Sequence, residues 1–144
     1  MIPHLKAARM PSNNIAKQQR KRRGLVKFQI NIGLKCNLAC KHCHVESSPA
    51  RTEEMSRETL EQCLAVFCDR GFKTIDITGG APEMNPNYEW FLREAVGAGA
   101  SVMTRSNLSI CKEPGYESIP ELWAELGITV IASLPHYVKK TSEK

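Results

Sequence analysis

An α/β fold built on a parallel sheet, forming part of a TIM-like (β/α) barrel, is predicted by three features of this sequence. Four short stretches rich in β-branched residues alternate with three stretches whose apolar residues recur at helical spacing. Such alternation requires parallel strands joined by helical crossovers. The last strand-like stretch, Ile128-Thr-Val-Ile-Ala-Ser-Leu134, is apolar nearly throughout, as in a strand covered on both faces. Each group of chemically capable residues also falls directly after a strand, at the end of a β/α barrel where function gathers.

Val26 to Ile32 is the first strand, with Val26, Phe28, Ile30 and Ile32 on one face at period two. A cysteine-bearing loop and a polar connector from Glu46 to Met55 lead to Ser56, a residue suited to cap a helix. That helix carries Leu60, Cys63, Leu64, Phe67 and Cys68 as one buried stripe and ends at Gly71. Thr74 to Thr78 is the second strand, followed by Gly79-Gly-Ala-Pro-Glu83. Asn85 is expected to cap the second helix, with Pro86 in its first turn. Its stripe is Tyr88, Phe91, Leu92, Ala95 and Val96, closed by Gly97 or Gly99. Ser101 to Arg105 is the third strand, Ile119 to Leu126 the third helix, and Ile128 to Leu134 the fourth strand.

The 144 residues suffice for one ordinary domain but fall short of the roughly 250 of a complete barrel. A fourth strand so apolar, ending ten residues before the chain does, would leave its edge and one face uncovered. The expectation is an apparently truncated chain, about four strands and three helices of a larger barrel. With 42% hydrophobic and 24% charged residues, the composition is that of a globular protein. No apolar run approaches the 18 or so residues of a membrane span. Six cysteines without a signal-type segment near Met1 favour a reducing cytoplasm, with thiols bound to metal or free.

Charge divides the chain further. Residues 1–23 hold seven Lys and Arg and no acid, so the remainder has 13 basic against 15 acidic groups. Residues 1–24 are therefore expected to be a basic, disordered arm, 25–138 the barrel portion, and 139–144 a polar tail. Nucleic-acid binding or organelle targeting by Lys17 to Arg23 ranks below a solvated arm.

The chemistry centres on Ile30 to His44, INIGLKCNLACKHCH, which places Cys36, Cys40 and Cys43 after the first strand. A structural zinc site closes with four ligands, commonly as two Cys-x-x-Cys halves, and no second half follows. His44 adjoins Cys43 and is poorly placed to close the same ion. Three thiolates in one short loop can instead hold three corners of a cubane cluster, leaving one iron open to an amino-acid-like ligand.

These residues resemble the radical S-adenosylmethionine (SAM) superfamily, whose cluster motif is Cys-x3-Cys-x-aromatic-Cys, with His42 here in the aromatic place. INIGLKCNLACKHCHVESSPARTEEMS, TGGAPEMNP and TRSNLS look in particular like the radical SAM/Cys-rich family that includes arsenosugar-biosynthesis enzymes. The resemblance implies a [4Fe-4S] cluster on Cys36, Cys40 and Cys43 and SAM bound near His42, Gly79, Gly80, Glu83, Asn107 and Ser133. It implies reductive cleavage of SAM to a 5′-deoxyadenosyl radical, a low-potential electron donor, and a small-molecule substrate, a methylated arsenical. Glycines suit the site because backbone without a Cβ can approach a ligand closely. On that reading Gly80→Val spares the cluster and weakens SAM binding.

Ala81 stands where the superfamily usually has an acid, with Glu83 two residues on, and Leu134-Pro-His-Tyr137 stands where the closer family commonly has Leu-Pro-Cys-Tyr. His136 is as well read as a surface residue as a functional one. Cys63 and Cys68 read as core, Cys111 as a bystander. The alternative function is a non-catalytic, truncated module that retains an iron-sulfur cluster or zinc in the Cys36 loop.

Overall fold

A computed structural model describes residues 26–133. The basic arm, the Leu134 to Tyr137 segment with His136, and the polar tail lie outside the described residues. Strands β1 (Lys27–Asn31), β2 (Thr74–Thr78), β3 (Ser101–Ser106) and β4 (Thr129–Ala132) alternate with helices α1 (Arg57–Arg70), α2 (Tyr88–Gly97) and α3 (Ile119–Leu126). The strands form one parallel sheet in the order β1-β2-β3-β4. This is the predicted α/β architecture, parallel strands joined by helical crossovers as in part of a TIM-like barrel.

Alternation along the strands sorts residues between two faces. Ile30, Ile32, Ile75, Ile77 and Val102 pack against Leu60 and Phe67 of α1, Tyr88, Phe91, Leu92 and Ala95 of α2, and Leu122 and Trp123 of α3. All three helices thus cover the same face. Thr104 and Ser106, polar but fully buried there, are satisfied: the Tyr88 hydroxyl donates to Thr104 Oγ1 at 3.0 Å, and Ser106 Oγ accepts from the Leu108 amide at 3.1 Å. Trp123 Nε1 donates in turn to the Tyr88 oxygen at 2.9 Å.

Helix α1 follows the expectation at both ends. Ser56 Oγ accepts from the Thr59 amide, and Gly71, at φ 66°, stops the helix in a left-handed turn. Cys63 is half-buried against the core, but Cys68 is exposed. At about 100° per residue, position 68 lies some 80° around the helix from Leu60, whereas Phe67 returns to within about 20°. Val26, expected on the inward face, precedes β1 and is 61% exposed.

One further expectation changes. Helix α2 begins at Tyr88, not beside Asn85, and Pro82–Met84 forms a 3-10 turn before it. Asn85 is buried and engaged elsewhere: its Nδ2 donates to the carbonyls of Ile32 (2.9 Å) and Met55 (3.0 Å), and its Oδ1 accepts from the Asn87 amide (2.8 Å). Tying β1 to the connector outweighed capping. Strand β4, expected to leave its edge and one face uncovered, contains no fully buried residue and lies at the sheet edge beside β3. No helix among the described residues is long and apolar enough to cross a membrane.

Candidate metal and cofactor site

The cysteine loop is held by backbone from two directions. On one side the polar connector folds back on it, with Leu34 donating to the Glu53 carbonyl (2.8 Å), Cys36 to Ser48 (3.2 Å) and Met55 to Ile32 (3.0 Å). On the other, the loop after β2 donates from Gly80 to Gly33 (3.0 Å) and from Ala81 to Lys35 (2.9 Å). This second contact explains the glycine pair. A Cβ on Gly80 would stand 2.4 Å from the Lys35 carbonyl oxygen, and one on Gly79, at φ 153°, 2.6 Å from that of Gly33. The absence of side chains lets two loops touch, so the close approach expected toward a ligand is made first toward the cysteine loop's own backbone.

The strand ends surround a cavity of about 300 Å³. Cys36, Cys40, Cys43 and His42 reach it from the loop after β1, and Gly79 and Gly80 from the loop after β2. Asn107 lines it from the end of β3 and Ser133 from the end of β4. Of the residues predicted to hold the cluster or SAM, Glu83 alone does not line it; it is 4% exposed, in the 3-10 turn. Among the described residues, no three His, Cys, Asp or Glu side chains converge as the ligands of a single ion do. Three thiols lining one cavity are a donor set that suits a cluster held at three corners.

The thiols are not equivalent. Burial pushes the Cys36 thiol up, and neighbouring Cys40 and Cys43 add to that, against hydrogen bonds from the Leu38 amide and the Asn107 side chain. Burial also opposes ionisation of Cys43, but the Ser47 and Val45 amides outweigh it and bring this thiol below its ordinary value. The Ser47 amide lies 3.3 Å from Cys43 Sγ.

Glu83 is an orphan: neither carboxylate oxygen has a partner at hydrogen-bond distance among the described residues. Burial raises its pKa, with the Ser106 hydroxyl and its own backbone amide pulling weakly the other way. Cys111, half-buried in a small apolar cluster with Cys36, Ala81 and Ile110, does not reach the cavity. Its thiol is raised by burial and then by the Glu83 charge.

Sequence reasoning passed over Thr78 and Arg105, which also line the cavity. Both face away from the helices, each one position beyond the Ile77–Thr104 pair of β2 and β3. Arg105 donates from Nε (3.1 Å) and Nη2 (2.9 Å) to the two oxygens of Asp76, which is 1% exposed; Gln29 Nε2 (3.2 Å) and Lys27 Nζ (3.7 Å) complete the group. Polar residues at alternate strand positions were the available signal.

Fold and site together define a parallel β/α protein whose strand ends gather three thiols and a glycine turn about one cavity. The chain belongs to the radical SAM superfamily, whose family model matches residues 30–140. A probable GTP 3′,8-cyclase of Methanothermobacter marburgensis is 39% identical over 61 residues, 42% of this chain and 20% of that protein. The antilisterial bacteriocin subtilosin biosynthesis protein AlbA of Bacillus subtilis is 31% identical over 86 residues, 54% of this chain and 19% of its own. The chain spans about a fifth of the length of these curated relatives. Among solved structures, SAM-bound SuiB of Streptococcus suis superposes with a TM-score of 0.71 at 18% identity, covering 89% of this chain and 29% of SuiB. BtrN in complex with AdoMet and 2-DOIA gives 0.61 at 19% identity, covering 76% of this chain and 46% of BtrN. These likenesses establish the fold. Superfamily members are enzymes that use a [4Fe-4S] cluster and SAM.

Proposed function

We propose that Cys36, Cys40 and Cys43 hold the [4Fe-4S] cluster and that the adjoining cavity receives SAM. The observation that carries this reading is their shared cavity: three thiols of one loop, Gly79 and Gly80 of the next, and the ends of β3 and β4. Bound there, the cluster would supply the electron for reductive cleavage of SAM to methionine and a 5′-deoxyadenosyl radical. The chain's own part is positional. Two sets of backbone hydrogen bonds fix the loop, amide donors favour the Cys43 thiolate, and the Gly79-Gly80 turn presents main chain to the cavity wall.

The finer reading is that the substrate is a trivalent methylated arsenical, joined through arsenic to the 5′ carbon, with one electron and the hydroxyl proton leaving the adduct so that arsenic ends at the +5 state and the electron spent on SAM is recovered. Its support is the likeness of INIGLKCNLACKHCH, TGGAPEMNP and TRSNLS to the arsenosugar-biosynthesis family. A low-potential electron donor is required as partner. The test is anaerobic reconstitution with iron and sulfide, followed by reduction with dithionite in the presence of SAM. The expected results are [4Fe-4S] Mössbauer parameters and 5′-deoxyadenosine by mass spectrometry, both lost in Cys36→Ala, Cys40→Ala and Cys43→Ala. Cluster loading unchanged by the three substitutions together overturns the ligand assignment. A deoxyadenosyl-arsenic product upon addition of dimethylated arsenic(III) supports the finer reading, and SAM cleavage indifferent to the arsenical counts against it.

A further inference from the structure

The end of β3 is joined to the cysteine loop by a closed ring of side-chain hydrogen bonds. Asn107 Nδ2 donates to Asn37 Oδ1 at 2.9 Å, Asn37 Nδ2 donates to Ser109 Oγ at 3.0 Å, and Ser109 Oγ donates to Asn107 Oδ1 at 3.0 Å. The backbone amide of Ile110 also donates to Asn107 Oδ1, at 3.1 Å. A backbone N–H can only donate, so the oxygen of the Asn107 amide must face Ile110. Its nitrogen therefore faces Asn37 and, at 3.6 Å, the sulfur of Cys36. A primary amide has two protons and two acceptor positions. All four are engaged within the protein, leaving none for a ribose hydroxyl or a carboxylate.

The turn that delivers this amide is held in an uncommon conformation. Leu108, next in sequence, has φ 59° although it is not glycine, and its amide donates to Ser106 Oγ at 3.1 Å. Main-chain amides also donate to the cluster-loop sulfurs, Leu38 to Cys36 at 3.4 Å and Ser47 to Cys43 at 3.3 Å. Asn107 is thus a donor from a different strand, placed on the most buried of the three thiols.

We propose that Asn107 is a positioning residue for the cluster, donating to Cys36 Sγ, locking the cysteine loop to β3 and setting the cluster's reduction potential, instead of holding SAM. The inference rests on Cys36 being a cluster ligand. A hydrogen bond to a cluster sulfur stabilises the more negative, reduced state, so losing it moves the potential down. Outer partners of metal ligands also support retention, and removing one typically weakens metal binding by about 10- to 100-fold.

The experiment uses the full chain, reconstituted anaerobically, as wild type, Asn107→Ala and Asn107→Asp. An EPR-monitored redox titration gives the potential, competition with an iron chelator gives retention, and the perturbation of the reduced signal by SAM gives SAM affinity. The expected result is a potential shifted negative in Asn107→Ala and further in Asn107→Asp, roughly tenfold or greater loss of retention, and unchanged SAM affinity. A potential unmoved by either substitution, with SAM binding weakened, overturns the inference and returns Asn107 to the SAM site. Should both variants fail to hold iron, pulsed EPR of the wild type labelled with 15N at asparagine side chains decides. Hyperfine coupling from an amide nitrogen to the reduced cluster is expected, and its absence overturns the proposal. Wild-type protein that takes up no cluster removes the cluster reading and this inference together. A loaded wild type insensitive to Asn107 removes only the latter.

Discussion

The two faces of the sheet are built from the same strands by opposite rules. Toward the helices, Ile30, Ile32, Ile75 and Ile77 are buried in an apolar core whose few polar groups are all paired. On the other face, the same strands carry Lys27, Gln29, Asp76 and Arg105, joined into one polar group beneath the cavity. The first face stabilises the fold and the second holds charge next to the site. Glu83 breaks the pattern, being buried as deeply as a core residue yet unpaired. Asp76 and Glu83 show that burial alone raises a carboxylate pKa and that partners decide its final direction.

The largest expected effect lies where the two faces meet the loops. Gly80→Val forces a side chain into the Lys35 carbonyl, so it should displace the cysteine loop and abolish iron loading as well as any SAM response, measured as iron per chain after reconstitution. This reverses the sequence-based expectation that the cluster would be spared. Phe91→Ala, on the helix face and 0% exposed, should cost about 3–5 kcal/mol in urea unfolding. That is a large share of a typical total of roughly 5–15 kcal/mol. Tyr88→Phe removes only a hydroxyl but orphans the Trp123 indole and Thr104, for about 1–3 kcal/mol by the same measurement.

The next test sharpens the contrast between the buried carboxylates. Burial raises Asp76, but Arg105, Lys27 and Gln29 outweigh it and its pKa falls below 3.8. Its contribution to stability is therefore full above that ordinary value and is lost as pH falls through the lowered folded value. Glu83 is raised above 4.5, so its contribution is present below that value and is lost as pH rises through the folded one. Asp76→Asn should remove the acid-side loss, and Glu83→Gln the loss above pH 4.5, in stability-pH profiles. Equal slopes in both variants would erase the distinction. The smallest effect belongs to Arg93→Ala, whose partners Glu89 and Glu125 are solvent-exposed, and the urea midpoint should stay near wild type.

Much of the fold was legible because local periodicity reports burial. The stripe through Leu60 and Phe67, the alternation through Ile75 and Ile77, and the glycine stop at Gly71 each depend on neighbours within a few residues. Cys36, Cys40 and Cys43 were legible for the same reason, since their spacing is itself local. Asn85 and Asn107 were not. Each looked like a cap or a ligand contact, and each has its amide engaged by groups that strand order brings near: Ile32 and Met55 for Asn85, Cys36 and Asn37 for Asn107.

The sequence by itself thus determined the element order, the placing of three cysteines in one loop and the parallel β/α class, because residue type and spacing decide helix and strand over short range. Tertiary structure alone decided that the glycine pair bears on the cysteine loop, that Asp76 is paired while Glu83 is not, and that Asn107 faces Cys36. Hydrogen bonds and desolvation act over a few ångströms of space, and sequence separations such as the 71 residues from Cys36 to Asn107 are closed only by the sheet.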